Sequence, residues 1–153
     1  MNHIVMLSQA RLVAVQALYA HAFMKKPVKE VLASIQDGTW DVGALFDEEM
    51  VSKDDAVKPD MKLLTKILTT YDAEAGRVEA ILKGALDKPE LLEEMDLLVG
   101  SILKAGVAEM MAQPTLDAPI LINEYTDIAR SFFDTGANVA LVNAVLDKVA
   151  KGA

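Results

Sequence analysis

The prolines of this chain, at positions 27, 59, 89, 114 and 119, lie between its long apolar runs and not inside them. Proline within a helix removes a hydrogen bond and clashes with the preceding turn, so its positions mark where helices stop or start. Between these marks apolar residues recur at intervals of three and four, and no sustained alternation of β-branched residues appears. The pattern predicts an all-α fold, a single domain over 1–153 with about six to eight helices. A chain of 153 residues can bury a core without disulfides or a structural metal. It has no cysteine, which excludes a disulfide scaffold, a thiolate nucleophile and any cysteine-based metal site.

The first helix is expected from about Ser8 to Met24. Ala10, Ala14, Ala17 and Leu18 mark one apolar face, and Leu12, Val15, Tyr19 and Phe23 a second. Helices apolar around most of their circumference sit centrally in a bundle or at an interface. Pro27 ends this helix, Val28–Ile35 forms a shorter one, and Asp37-Gly38 stops it. Over 38–58, Trp40, Val42, Leu45 and Phe46 could anchor a short helix, and the acid runs Asp47-Glu48-Glu49 and Asp54-Asp55 read as solvated loop. Asp60 is a good N-cap. Leu64, Leu68, Tyr71, Ala75, Val78 and Leu82 then hold one face of a helix over about 61–86, with Gly76 as a tolerated weak point. Pro89 can open a short helix, followed by Leu98–Met111, a helix over about 119–133, and Val139–Ala150. The natural division lies between an N-terminal part, 1–86, and a C-terminal part, 89–151.

The net charge is −8 and unevenly spread. Residues 1–30 carry Arg11, Lys25, Lys26 and Lys29 against Glu30, whereas 31–60 carry Lys53 and Lys58 against eight acids. Only the N-terminal block can attract a polyanion, so any nucleic-acid role must be local or shared with a partner. No secretory signal pattern and no membrane-length apolar run is seen, and a cytoplasmic protein is expected.

Catalytic options are few. The histidines are His3, near the terminus, and His21, which reads as a partly buried polar group because no partner spacing accompanies it. Glu93-Glu94-Asp96, like the 47–49 run, reads as solvated surface, since adjacent helical residues diverge. No phosphate-binding glycine motif or nucleophile elbow is present. No catalytic residue, metal ligand, cofactor or small-molecule substrate is expected. Met95, Met110 and Met111 read as core filling, with a partner groove as the alternative.

Three segments carry a more specific signal. Ala10-Arg11-Leu12-Val13-Ala14-Val15-Gln16-Ala17-Leu18-Tyr19 opens the series. Ile102-Leu103-Lys104-Ala105-Gly106 with Glu109 follows. Ile122-Asn123-Glu124-Tyr125, Ala129 and Ser131-Phe132 then lead to Leu141-Val142-Asn143-Ala144-Val145-Leu146-Asp147-Lys148. In order and spacing these resemble the NusB family of bacterial transcription antitermination factors, while 36–60 match nothing specific. The resemblance implies two small helical subdomains packed across one another and a non-enzymatic role. It implies binding to the boxA element of ribosomal RNA leaders together with a small-subunit ribosomal protein, NusE, so that RNA polymerase passes termination signals. Some members of the family self-associate.

On this resemblance the RNA-binding candidates are Arg11, Gln16, Tyr19, Lys25, Lys26 and Lys29, and the partner-interface candidates are Leu12, Glu124, Phe132 and Asn143. The residues also have readings of their own. The guanidinium of Arg11 suits phosphate contact, and equally suits pairing with an acid. Tyr19 lies on an apolar face and suits packing. Val142, Val145, Leu146 and Val149 share one helical face and belong to the core. The departures from the family pattern fall on its basic and aromatic positions. Ile4-Val5-Met6-Leu7-Ser8-Gln9 stand where several arginines are usual, Leu141 where phenylalanine is common, and Ala140, Glu94 and Gly100 where basic residues are frequent. Each loss weakens phosphate attraction or base stacking. Either the RNA face is degraded or it is covered by another protein. Surplus apolar surface at Leu12 and Ile4–Leu7 predicts a homodimer or a partner site on the first helix.

Overall fold

In the computed structural model, which describes residues 3–40 and 58–152, the first helix, α1 (His3–Met24), starts at His3 and not at Ser8. Nothing in Ile4–Leu7 breaks a helix, and the Met6 carbonyl accepts from the Asp60 N–H at 2.9 Å, which ties the first turns of α1 to the chain just before Met61. At its other end Lys25 takes a left-handed φ of 55° before Pro27, which reverses the chain. α2 (Val28–Gln36) follows and ends at Asp37-Gly38, where φ at Gly38 is 80°, a region open to glycine at no cost.

The expected short helix around Val42, Leu45 and Phe46 and the acid runs beyond it lie outside the described residues. Trp40, at the edge, is half-buried against the core. In α3 (Met61–Ala85) the Asp60 carboxylate caps the helix as anticipated, accepting from the Leu63 N–H at 2.9 Å. The helix is not uniform: Glu74 departs from helical geometry (φ −121°, ψ 21°), two residues before the expected weak point at Gly76.

Pro89 precedes a single turn, α4 (Leu91–Glu94). The Asp96 carboxylate then caps α5 (Leu97–Ala112), accepting from the N–H groups of Leu98 and Val99. α6 (Ala118–Phe132) opens with Pro119 in its first turn. α7 (Gly136–Ala150) begins three residues earlier than the apolar pattern suggested, with Gly136, Ala137 and Asn138 in its first turn. Among the described residues all regular structure is helical.

α5 is the central rod. It touches α1, α3, α6 and α7 and buries residues on every side from Leu98 to Glu109. α1–α3 pack on one another, α5–α7 pack on one another, and the two sets cross where α5 meets α1 and α3. Gly106 lets α5 approach α7: a Cβ there would lie 3.0 Å from a Leu146 methyl and 3.6 Å from the Tyr125 ring. Most of the middle of α1, from Ala10 to Ala20, is buried by α2, α3, α5 and α6, with Leu12 and Tyr19 half-buried. Both of its apolar faces are therefore covered within the chain, by four neighbours and not one. The exposed surplus lies at its ends, at Ile4 and Val5 and at Phe23 and Met24, and Leu12 is half-buried.

Candidate nucleic-acid and partner interface

Arg11 lies on the buried side of α1, only 5% exposed. Its Nε donates to both Glu109 carboxylate oxygens, at 2.8 and 3.0 Å, and its Nη2 to Oε2 at 2.8 Å. Its Nη1 donates to Glu124 Oε1 at 2.6 Å. Glu109 is wholly buried and also accepts from Tyr125 Oη at 2.7 Å and from Gln113 Nε2 at 2.8 Å. Ser8 Oγ donates to Glu124 at 2.7 Å. The cluster joins α1, α5 and α6 through one guanidinium. Burial by itself would lower the Arg11 pKa, but the hydrogen bonds and charge of Glu109 outweigh it and raise the pKa further above its ordinary value. Burial, reinforced by the charge of Glu109 and the bond to it, pushes the Tyr125 hydroxyl well above its usual range.

Two of the RNA-binding candidates thus lie in the interior. Arg11 is enclosed, with its donors turned to two carboxylates, and Gln16 is buried at 3% exposure. Neither presents a surface to a phosphate. Both are buried in the middle of α1, and the charge of Arg11 persists there because it is paired.

Lys25, Lys26 and Lys29 are exposed at the far end of α1 and the start of α2. Beside them the Tyr19 ring is half-buried and stacks on Phe23, with centroids 5.7 Å apart and planes 11° from parallel. Phe23 is 59% exposed. The sequence pattern placed Phe23 on the second apolar face of α1 without marking it as an exposed aromatic; its place in the last turn before Lys25 was the available signal. His21 sits beneath this end. Its Nδ1 meets the Lys26 carbonyl, and its ring lies edge-on to Tyr71 at 6.2 Å, so it braces the turn.

The partner-interface candidates do not form one patch. Leu12 and Glu124 line a groove of about 280 Å³ between α1 and α6, with Val5, Ser8 and Ile128. Asn143 is exposed and lines a separate cleft of about 490 Å³ between α6 and α7, with Asn123, Arg130 and Thr135. The exposed α6 ridge between them carries an Asp127–Arg130 ion pair. Phe132 is half-buried against the core. Met110 and Met111 are half-buried and border an apolar cleft with Val107, Leu121 and Val149, so they both fill and edge the core. At a rise of 1.5 Å per residue, the groove at Leu12 and the lysines at 25–29 lie roughly 20 Å apart along α1.

Among the described residues no three acidic or histidine side chains are placed to hold a metal ion. No helix among them is long and apolar enough to cross a membrane.

Comparison with known proteins agrees with this architecture. The model of the NusB family matches residues 8–151. A protein of Sphingopyxis alaskensis named transcription antitermination protein NusB is 28% identical over 144 residues, 94% of this chain and 91% of its own length. The protein of the same name from Rhizobium rhizogenes is 33% identical over 142 residues, covering 93% and 84%. Among solved structures, one of antitermination factors NusB and NusE in complex with dsRNA superposes with a TM-score of 0.69 at 17% identity, over 95% of this chain and 96% of that one. With the family's model matched from the first turns of α1 to the end of α7, the chain belongs to the NusB family.

Proposed function

We propose that this protein is a transcription antitermination factor that acts by binding and not by catalysis. The observation that carries the reading is the extent of the match: relatives named for antitermination align over more than nine-tenths of the chain. In this reading the protein binds a boxA-type ribosomal RNA leader together with the small-subunit ribosomal protein NusE. It joins them to the transcribing RNA polymerase, in the cytoplasm.

The lysine end of α1 is the part of the surface suited to RNA. Lys25, Lys26 and Lys29 supply charge, and exposed Phe23, backed by Tyr19, supplies a face on which a base can stack. The footprint is short. Log affinity should fall with log salt at about 0.7 per phosphate neutralised on a single strand, so these lysines account for a slope of roughly 2. Affinity for RNA alone should be modest and should rise when NusE adds its own surface.

The test is boxA-type RNA titrated by fluorescence anisotropy at two salt concentrations, with and without NusE. Replacing Lys25, Lys26 and Lys29 together by alanine should flatten the salt dependence and weaken binding. RNA binding that is tight without NusE and indifferent to these lysines would overturn this placement. No binding of RNA or NusE under any of these conditions would overturn the function.

A further inference from the structure

We infer that the groove between α1 and α6 is a docking site for a basic side chain, arginine or lysine, of a protein partner, with Glu124 as the group that recognises it. The inference rests on the functional reading above for the identity of the partner, taken to be NusE, but not for the chemistry of the groove.

The charge balance comes first. Arg11 is the one cationic side chain among the residues lining the groove. Its charge is already matched by Glu109, which takes three of its contacts and is itself wholly buried. Glu124 is then a second carboxylate on a single guanidinium. Its side chain is 22% exposed, against 6% for that of Arg11, so it is the more exposed of the charged groups of the cluster that line the groove. Asp127, on the same wall, is matched by Arg130. The surplus in the groove is therefore negative, and it sits on Glu124.

Shape comes second. Val5, Leu12 and Ile128 give the groove an apolar lining, and Ile4 beside it is 69% exposed. A long basic side chain fits such a surface, with its methylene stem on the apolar wall and its head on the carboxylate. Arginine is enriched at protein interfaces because a planar, weakly hydrated cation combines these contacts. A phosphate entering here would meet Glu124 before Arg11. Repulsion of that kind discriminates against a wrong ligand as effectively as attraction selects a right one. RNA is thus directed to the lysine end, and protein to this one.

The experiment has two arms. In the first, argininamide is titrated into the isotopically labelled protein and amide shifts are followed by NMR. Perturbations should centre on Ser8, Leu12 and Glu124 and should vanish in Glu124→Gln. In the second, NusE and boxA-type RNA are titrated separately. Glu124→Gln should weaken NusE binding by about tenfold, the scale of a lost charge-assisted contact, and leave RNA affinity no weaker. Gln9→Arg, which adds a cation at the groove wall without touching the buried cluster, should weaken NusE and not RNA. Thermal melts of both variants separate loss of docking from loss of fold.

If both variants bind NusE as the wild type does, the inference is overturned while the function stands. If argininamide leaves the groove unperturbed, it is likewise overturned. If Gln9→Arg strengthens RNA binding and spares NusE, the groove is a phosphate site instead. If NusE and RNA fail to bind the wild type but argininamide seats on Glu124, the function fails and the groove's chemistry survives.

Discussion

Replacing Arg11 by methionine tests whether this residue serves to hold three helices together. The substitution keeps most of the stem and removes the charge. Glu109 would lose three contacts of 2.8–3.0 Å and keep those from Tyr125 and Gln113, in a site with no access to water. Removing one partner of a buried pair leaves an uncompensated charge and costs about 3–5 kcal/mol. Glu124 is less affected, because it keeps Ser8 and can turn toward solvent. For a domain of this size each kcal/mol corresponds to about 2–4 °C, so the melting temperature should fall by roughly 6–20 °C.

The assay is urea unfolding followed by far-ultraviolet circular dichroism, with the midpoint and slope fitted separately. Adding Glu109→Gln to Arg11→Met should restore much of the loss, because the remaining amide still accepts from Tyr125 and carries no charge. A phosphate-contacting arginine would behave oppositely, leaving stability intact and lowering only RNA affinity. An Arg11→Met cost below about 1 kcal/mol, typical of an exposed ion pair, would refute the reasoning. So would a double variant as unstable as the sum of the single ones.

Other expectations follow from particular contacts. Gly106→Ala places a methyl 3.0 Å from Leu146 and should cost about 1–3 kcal/mol by denaturant unfolding, with part of the loss recovered by Leu146→Val. Lys25→Gly should stabilise the fold by up to about 1 kcal/mol, since Lys25 holds a positive φ that glycine adopts freely; an unchanged or lowered melting temperature would count against strain at this cap. Burial, with a smaller contribution from Glu79, raises the Tyr71 pKa to about 12, and burial also raises that of Tyr125 well above its ordinary value. A raised folded-state pKa means stability that is complete below the unfolded value near 10 and is lost as pH climbs through 12, so unfolding free energy should decline over that window, and less so in Tyr71→Phe. Sedimentation over a range of concentrations tests self-association through the exposed Ile4 and Val5, with Leu12→Glu expected to favour the monomer.

What the chain declares by itself is local. Proline positions, the Asp60 cap and the three-and-four spacing of Leu64, Leu68, Tyr71, Val78 and Leu82 identify helices because a helix is built from neighbours in sequence. The same logic put Val142, Val145, Leu146 and Val149 in the core; the first three are buried there, and Val149 is half-buried at its edge. The ordered segments from Ala10 to Lys148 were sufficient to suggest the family, which the match over residues 8–151 bears out. The starts of α1 and α7 were placed too late, at Ser8 and Val139, while their ends at Met24 and Ala150 agree.

The use made of Arg11 was decided only by tertiary structure. Its partners lie 98 and 113 positions away, and no spacing rule connects them. A trace was present in Glu109, an acid in the largely apolar run of α5, because a carboxylate in such a helix must be paired when buried. Which cation would pair with it was not legible. Arginine serves phosphate and carboxylate alike, and the choice depends on which side of α1 faces the core. That side is set by four helices packing at once, and their packing turned Arg11 and Gln16 inward while leaving Lys25, Lys26 and Lys29 in solvent.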